Sequence, residues 1–468
     1  MARPGGVKNM EAKFIKELAN LLGPEHVTED PAVRRQAAVG GDYLPDVVVY
    51  PADGEEVARV VRLANEEGVA VIPWGAGLHA RRGLLPYKGG IALRLTRLQK
   101  ILEFDRDNQT AWVETGRSLS SLNEVFRTGR LFLPPDPLEG GDCTLGGCIA
   151  ANAAGPRKLG YGTTKDYLLG LEIVSPTGEI VRTGGKTVKN VQDYDNTRFL
   201  AGSWGSLGVV TKAMVKLKPL PEKEVPLCLG FPRLEEACEA AFNMRQELGP
   251  VALELMDAVL MEALQESGHP LPVRGEACLL AAFAGFTEAV DWQVDQVRAK
   301  YGQAAEVVEA GEDEAATLWE ARRQAWRAMG GEEGAILGSA SLPFTATGKF
   351  VQEARSLFLS GQQKAALAAH FGNGHVHVFL KHPPSHYEAV GEVLGRLQDL
   401  AAGAGGLFLV ENINDLAMVR RWVEGRGPAL IPLLRRIKEA LDPRRVLTPN
   451  SKVLAYVLDA AGATETAG

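Results

Sequence analysis

Histidine can both bind a divalent cation and accept a proton near neutral pH. Three of the chain's eight histidines fall within eight residues, in HFGNGHVHVFL. The run HVHVFL alternates as a strand does, putting His375, His377 and Phe379 on one face and Val376, Val378 and Leu380 on the other. His370 precedes it across a glycine-containing turn. Two imidazoles on one strand face can share a metal, or can simply form a polar face turned to solvent, and the spacing alone leaves both readings open. The five cysteines, Cys143, Cys148, Cys228, Cys238 and Cys278, show no CxxC pair and no zinc or iron–sulfur spacing. Such a set fits reduced thiols in a cytosol and puts any iron–sulfur cluster on another subunit.

Glycines suggest a second chemistry. PWGAGLHARRG directly follows a strand-like run, so its backbone N–H groups can cradle a phosphate. Neither nucleotide fingerprint is complete. The third glycine of GxGxxG is Ala80, and the leading glycine of a P-loop before GGKT is Ile180. Further on, Gly146, Gly147, Ala150, Ala151, Ala153, Ala154 and Gly155 strip side chains from a short path. Backbone there can run against a flat ligand and its diphosphate.

The elements that must position these residues alternate. Met10 to Leu22 spaces Phe14, Ile15, Leu18, Leu21 and Leu22 as one helix face. VVVY, EEVARVVRLANEEG and VAVIP then read strand, helix ending at Gly68, strand. Alternating segments continue to a proline-flanked charged stretch, Pro219 to Pro226, which marks a domain boundary. Beyond it, LGFPRLEEACEAAFNMRQELG, VALELMDAVLMEAL, GEACLLAAFAGF and a helix from Glu288 to Lys300 predict an antiparallel sheet with helices on one side, an α+β arrangement. The chain closes on RRIKEALDPRRVLTPNSK, a basic amphipathic helix and loop, followed by an Ala/Gly/Thr tail expected to be disordered.

At 468 residues there is room for two or three cores. The net charge of −7 and scattered basic residues argue against nucleic acid or an anionic membrane as the main partner. The N-terminus lacks the apolar core of a signal peptide, and apolar runs are shorter than the roughly 20 residues that span a bilayer. A cytoplasmic location is the expectation, with any membrane association through partner subunits.

Taken in order, PWGAG, LPPDP, CTLGGCIAANAAG, YGTTKDYLLGLEIVSPTGEIVRTGGKTVKNV and GSLGVVT resemble the FAD-linked oxidases of the vanillyl-alcohol-oxidase/PCMH fold. The glycolate oxidase, D-lactate dehydrogenase and D-2-hydroxyglutarate dehydrogenase branch is the most similar, and IKEALDPRRVLTPNSK matches its closing segment. The resemblance implies a PCMH-type FAD-binding domain of two α/β subdomains over residues 47–221, after a lead-in over 1–46. A cap domain with an antiparallel sheet and flanking helices follows over 222–424, then a segment over 425–458 packing back on the FAD domain and a tail over 459–468. Position by position, it places FAD against Pro73, Gly75, Ala76, Gly77, Leu78 and His79, then Pro135, Asp136, Thr144, Gly146, Gly147, Asn152, Gly155 and Gly162, with Gly208, Val209 and Val210 toward the adenosine. Backbone amides would neutralise the diphosphate. Relatives carry a small polar residue and a glycine at Leu78 and His79, a Ser/Gly stretch where Arg81 and Arg82 stand, and an acidic residue at Trp204. A covalent flavin histidine would fall at Leu78, one position from His79, so attachment is expected to be non-covalent.

In the cap the family pattern H-x-G-D-G-N-x-H keeps its outer histidines as His370 and His377, while Asn373 and His375 replace its Asp and Asn. With Glu411 these imply a site for Zn, Mn or Fe. The catalytic histidine after that glutamate is Asn412 here, and an amide has no useful basicity. LWEARRQAW matches LWxxR and makes Arg322 the carboxylate clamp; His375 is the candidate replacement base. The implied activity is oxidation of a D-lactate- or glycolate-like 2-hydroxy acid by hydride transfer to flavin N5. The electrons would pass to an electron-transfer flavoprotein, an iron–sulfur subunit or quinone. The alternative is a flavin-bearing electron-transfer or scaffold subunit whose substrate site has degenerated at Asn412.

Overall fold

The computed structural model describes residues 12–38, 44–79, 89–138, 140, 142–186, 194–382, 390–412 and 429–447. It divides into two compact units, one made of Met1–Ala153, Thr163–Leu220 and Val419–Gly468, the other of Ala154–Gly162 and Pro221–Met418. Arg81, Arg82 and the Ala/Gly/Thr tail lie outside the described residues.

In the first unit, β1 (Val27–Thr28), β2 (Val47–Val49), β3 (Val71–Trp74) and β4 (Ile91–Arg94) form a sheet in the order β1-β2-β4-β3. The last three run parallel and β1 closes one edge antiparallel. All of β2 and the first three residues of β4 are buried, as parallel strands covered on both faces require. The helix Gly54–Glu67 crosses between β2 and β3. Asp53 caps it by accepting the Glu56 N–H at 2.9 Å, and Gly68 stops it at a φ of 68°. Its Val57, Val60, Val61 and Ala64 pack with Phe14, Leu18 and Leu22 of the helix Ala12–Leu22.

The second sheet of this unit uses β5 (Ile101–Asp105), β6 (Thr110–Glu114), β8 (Leu168–Val174), β9 (Ile180–Gly184) and β10 (Val209–Lys216). It is antiparallel in the order β5-β6-β10-β8-β9, while the short β7 (Leu131–Phe132) pairs with β11 (Lys218–Pro219). The helix Leu430–Leu441 also belongs here. Its fully buried Lys438 donates to the carbonyls of Ser206 at 2.7 Å and Leu447 at 2.9 Å, and to Asp442 Oδ2 at 2.6 Å.

The second unit is built on one antiparallel sheet of β12 (Lys223–Phe231), β13 (Ala252–Asp257), β14 (Ala277–Gly285), β15 (Glu306–Glu309), β16 (Ile336–Ser341), β17 (Ala365–His370), β18 (His375–Leu380) and β19 (Leu407–Val410). The strand order is β15-β12-β14-β13-β17-β18-β16-β19. Helices cover both faces, not the one face expected. Leu227, Leu229, Leu253 and Leu255 point into a core shared with the helices Leu234–Glu247, Thr287–Tyr301, Thr347–Ser360 and Gly391–Gly403. Their neighbours Cys228, Ala252 and Met256 point into a second core, against the helices Ala258–Glu266 and Glu312–Ala328. Successive side chains alternate across a sheet, so strands apolar at nearly every position need two covers.

Candidate functional site

The two glycine-rich loops of the first unit close a hollow of two adjoining lobes. Pro73, Trp74, Gly75, Thr144, Gly147, Ala150 and Trp204 line both. Leu95, Thr115, Gly146, Ser203, Gly205, Gly208 and Val210 complete one lobe, and Ala76, Gly77, Leu78, His79 and Cys143 the other. Larger residues do not fit the walls. A Cβ on Gly75 would stand 2.2 Å from Thr144 Oγ1, and one on Gly77, whose φ is 81°, would stand 2.8 Å from Trp74 Nε1.

The helix Leu145–Ala151 forms one wall, and its first amides all have partners within the protein. Thr144 accepts the Gly147 N–H at 3.2 Å, while Gly146 N–H donates to Thr115 O at 2.8 Å and Leu145 N–H to Arg117 O at 2.9 Å. The Gly146 and Gly147 amides are thus already engaged within the protein, and what these two glycines supply is room. Trp74 supplies a donor, since its Nε1 is buried with no hydrogen-bond partner among the described residues. An oxygen-bearing ligand relieves that cost of burial. The narrow apolar walls and this waiting donor fit FAD.

Other residues expected to contact FAD do not line these two lobes. Asn152 ends the same helix at a φ of 47°, its Oδ1 accepting the Lys165 N–H at 3.0 Å. Val209 packs into the core under the parallel sheet. Pro135 and Asp136 follow β7 and line neither lobe, and Gly155 and Gly162 belong to the second unit. Trp74, Thr115 and Ser203 were missed. Trp74 stood in the PWGAG motif itself, with an indole N–H beside a glycine turn as its signal; Thr115 and Ser203 carry no local one.

In the second unit, β18 lies between β17 and β16, so His377 pairs across with Ser339, and His375 with Ser341 and His370. The Ser339 and Ser341 hydroxyls lie 3.4 Å from Nδ1 of His377 and His375, which orients both rings. Ser339 also donates to Glu411, just past β19. One ligand atom from each of His375, His377 and Glu411 lies within 4.8 Å of the others. The geometry thus groups His375, not His370, with His377 and Glu411.

His370 faces an acid. Its Nδ1 is 2.6 Å from Glu254 Oε1, and Glu254 Oε2 accepts Arg322 Nε at 2.7 Å. Glu254 is 0% exposed and Arg322 2%. Burial pushes the Glu254 carboxyl up, but the His370 ring and the Arg322 guanidinium outweigh it and hold the group below its ordinary value. Arg322, expected from sequence as a substrate clamp, thus gives its Nε to Glu254, while its Nη2 is buried with no partner among the described residues. Asn412 is a backbone clamp: Oδ1 accepts the Leu337 N–H and Nδ2 donates to Ala335 O, both at 2.8 Å.

A unit of two small sheets holding a dinucleotide hollow, followed by a large antiparallel-sheet unit, defines the PCMH-type class of flavoproteins. Solved structures with this fold include p-cresol methylhydroxylase with substrate bound (TM-score 0.75, 18% identity, 96% of this chain and 98% of that one). Another is 4-ethylphenol oxidase from Gulosibacter chungangensis (TM-score 0.74, 18% identity, 97% and 99%). Residues 45–184 match the FAD binding domain and residues 220–451 the C-terminal domain of FAD linked oxidases. The chain belongs to the FAD-linked oxidase family and is an FAD-dependent oxidoreductase. It is 30% identical to glycolate oxidase subunit GlcD of Bacillus subtilis over 94% of this chain and 97% of that protein. It is also 30% identical to a D-lactate dehydrogenase of Anaerostipes hadrus, over 94% and 96%. No helix among the described residues is long and apolar enough to cross a membrane.

Proposed function

We propose that the protein oxidises a small 2-hydroxy acid of the D-lactate or glycolate kind to the 2-oxo acid and passes the electrons to a protein partner or quinone. The grouping of His375, His377 and Glu411 carries this reading. Two imidazoles and a carboxylate suit Zn, Mn or Fe and leave coordination positions open. A 2-hydroxy acid offers neighbouring hydroxyl and carboxylate oxygens that chelate such an ion. The relatives named for glycolate and D-lactate favour the same substrate class.

When bound, FAD in the glycine-walled hollow supplies the two-electron acceptor. A divalent ion at the histidine cluster supplies Lewis acidity that lowers the pKa of a hydroxyl oxygen it binds. The protein's own groups do the rest. Ser339 and Ser341 set the ring planes of His377 and His375. Glu254, anchored by Arg322, fixes His370 with Nδ1 toward the carboxylate, so Nε2 is the atom left to take the hydroxyl proton. His370 and His375 thereby exchange the roles that the sequence suggested.

The Asn412 clamp favours a second reading, a flavin-bearing electron-transfer or scaffold subunit without substrate chemistry. Anaerobic mixing with D-lactate, glycolate and D-2-hydroxyglutarate separates the two. Bleaching of the flavin's visible band by one acid is expected. His375→Gln should lose bound metal, whereas His370→Gln should keep metal and lose bleaching. No bleaching by any of the three in protein with measured, full metal content would refute the dehydrogenase.

A further inference from the structure

Cys143 and Cys148 flank the start of the helix Leu145–Ala151 and are 1% and 0% exposed. Each offers a sulfur that lies within 4.8 Å of the other and of a ring nitrogen of His79. The only other such grouping among the described residues is the histidine cluster of the second unit, which holds no thiol. We propose that His79, Cys143 and Cys148 form a binding site for a thiophilic cation, Zn2+ or Cu+, on the wall of the hollow. Only the consequence for FAD rests on the functional reading above.

The donor set points to this class of ion. Two thiolates and an imidazole select soft or borderline cations over Mg2+, Ca2+ and Mn2+. The backbone under both cysteines is fixed. Cys143 N–H donates to Gly140 O at 3.3 Å and its carbonyl accepts the Leu119 N–H at 3.0 Å. Cys148 N–H donates to Thr144 O at 3.0 Å and its carbonyl accepts the Ala153 N–H at 2.8 Å. Gly147 stands between them, and a Cβ there would be 3.8 Å from His79 Cδ2, so the imidazole rests against the bare stretch of the helix. Bond lengths of about 2.3 Å to sulfur and about 2.0 Å to nitrogen put tetrahedral ligand atoms roughly 3.5–3.8 Å apart. Closing from the present spacing is a matter of side-chain rotation.

Binding a divalent ion takes both cysteines from thiol to thiolate and releases two protons, with the imidazole neutral; no oxidation occurs. Three protein ligands leave the fourth position toward the lobe that His79 and Cys143 line. His79 drawn onto the ion is withdrawn from that lobe, so cation and FAD should antagonise each other reciprocally, by roughly tenfold in affinity.

Chelator-treated FAD protein is titrated with Cd2+ as a zinc surrogate, reading the ultraviolet thiolate-to-cadmium difference band and proton release. One thiolate-bound Cd2+ per chain is expected, together with easier FAD release. Cys148→Ala, which removes a ligand that lines neither lobe, should lose the band, and Cys238→Ala should keep it. Cadmium on the histidine cluster gives no thiolate band, so the two sites are read separately. Should Cys148→Ala misfold, Cys148→Ser, which keeps the side chain's shape and removes the thiolate, is read in its place. Absence of the band in the unaltered protein, or an unchanged band in folded Cys148→Ala or Cys148→Ser, overturns the site. Protein that shows the band but never takes up FAD fails the flavin assignment and leaves this site standing.

Discussion

Arg322→Met distinguishes an arginine that holds Glu254 from one that holds a substrate. The substitution keeps most of the volume and removes the guanidinium that donates to Glu254 Oε2 at 2.7 Å. Both partners are essentially inaccessible, so the carboxylate left behind cannot turn to water. Breaking one side of a buried pair costs roughly 3–5 kcal/mol. For a domain of this size each kcal/mol lowers the melting temperature by roughly 2–4 °C, giving a fall of roughly 6–20 °C. Pairing the change with Glu254→Gln should restore part of the loss, with a coupling of roughly 1–3 kcal/mol in a double-mutant cycle. The pH dependence has a definite sign. Glu254 sits below its ordinary value in the fold, so its contribution is present above the unfolded carboxyl value near 4.3 and lost as pH falls through the lower folded value. Arg322→Met removes one of the two groups that hold the value down and should shrink that acid-side loss. Calorimetry of FAD-saturated protein across pH 3–8, with roughly five samples spanning the Glu254 window, reads all of this. A variant within about 1 kcal/mol of the parent, with an additive cycle and a defect only in hydroxy-acid affinity, would refute the buried-anchor role.

Asp257 shows the opposite shift: burial pushes its carboxyl up to about 6, against the backbone amides of Leu260 and Leu367 and the charge of Arg355. A folded value above the unfolded one means that stability is full below about pH 4 and lost as pH rises through 6. Asp257→Asn keeps an oxygen for the Leu260 N–H and should be about 3 kcal/mol more stable at pH 8 yet unchanged at pH 4; equal denaturation midpoints at both would reject this. Asn412→Ala frees Leu337 N–H and Ala335 O and should cost about 1–3 kcal/mol while leaving the rate of flavin reduction intact. Lost reduction at unchanged stability would instead make Asn412 a reacting group.

Much of the first unit was legible because its signals are local. Bare glycines after an apolar strand, and the run from Thr144 to Gly155, announce a hollow whatever the rest of the chain does. The strand HVHVFL declared its own faces, and Val376, Val378 and Leu380 do enter the core while His377 turns away from it. What stayed hidden depends on partners distant in sequence. Glu254 lies in a strand buried at every position, and the residues that make it tolerable arrive 68 and 116 positions later. An acid inside VALELMD was the visible clue, since such a group demands a cation. Which of the three neighbouring histidines meets that acid is decided by the fold, and no spacing rule contains it. ACLLAAFAG, apolar at every position, likewise signalled a strand covered twice, a hint that periodicity counted for one helix layer overlooks.

The path of the chain has a consequence for how the cofactor is acquired. The polypeptide leaves and re-enters the first unit before completing it, and the Ser206 carbonyl, beside the turn at Ser203 to Gly205, meets its buried ammonium only from position 438. During synthesis from the N-terminus that wall stays unsupported until residue 438 has emerged. Flavin should therefore load only after the segment carrying Lys438 has folded back. A product cut short before the helix Leu430–Leu441 should emerge colourless even though both glycine loops are present.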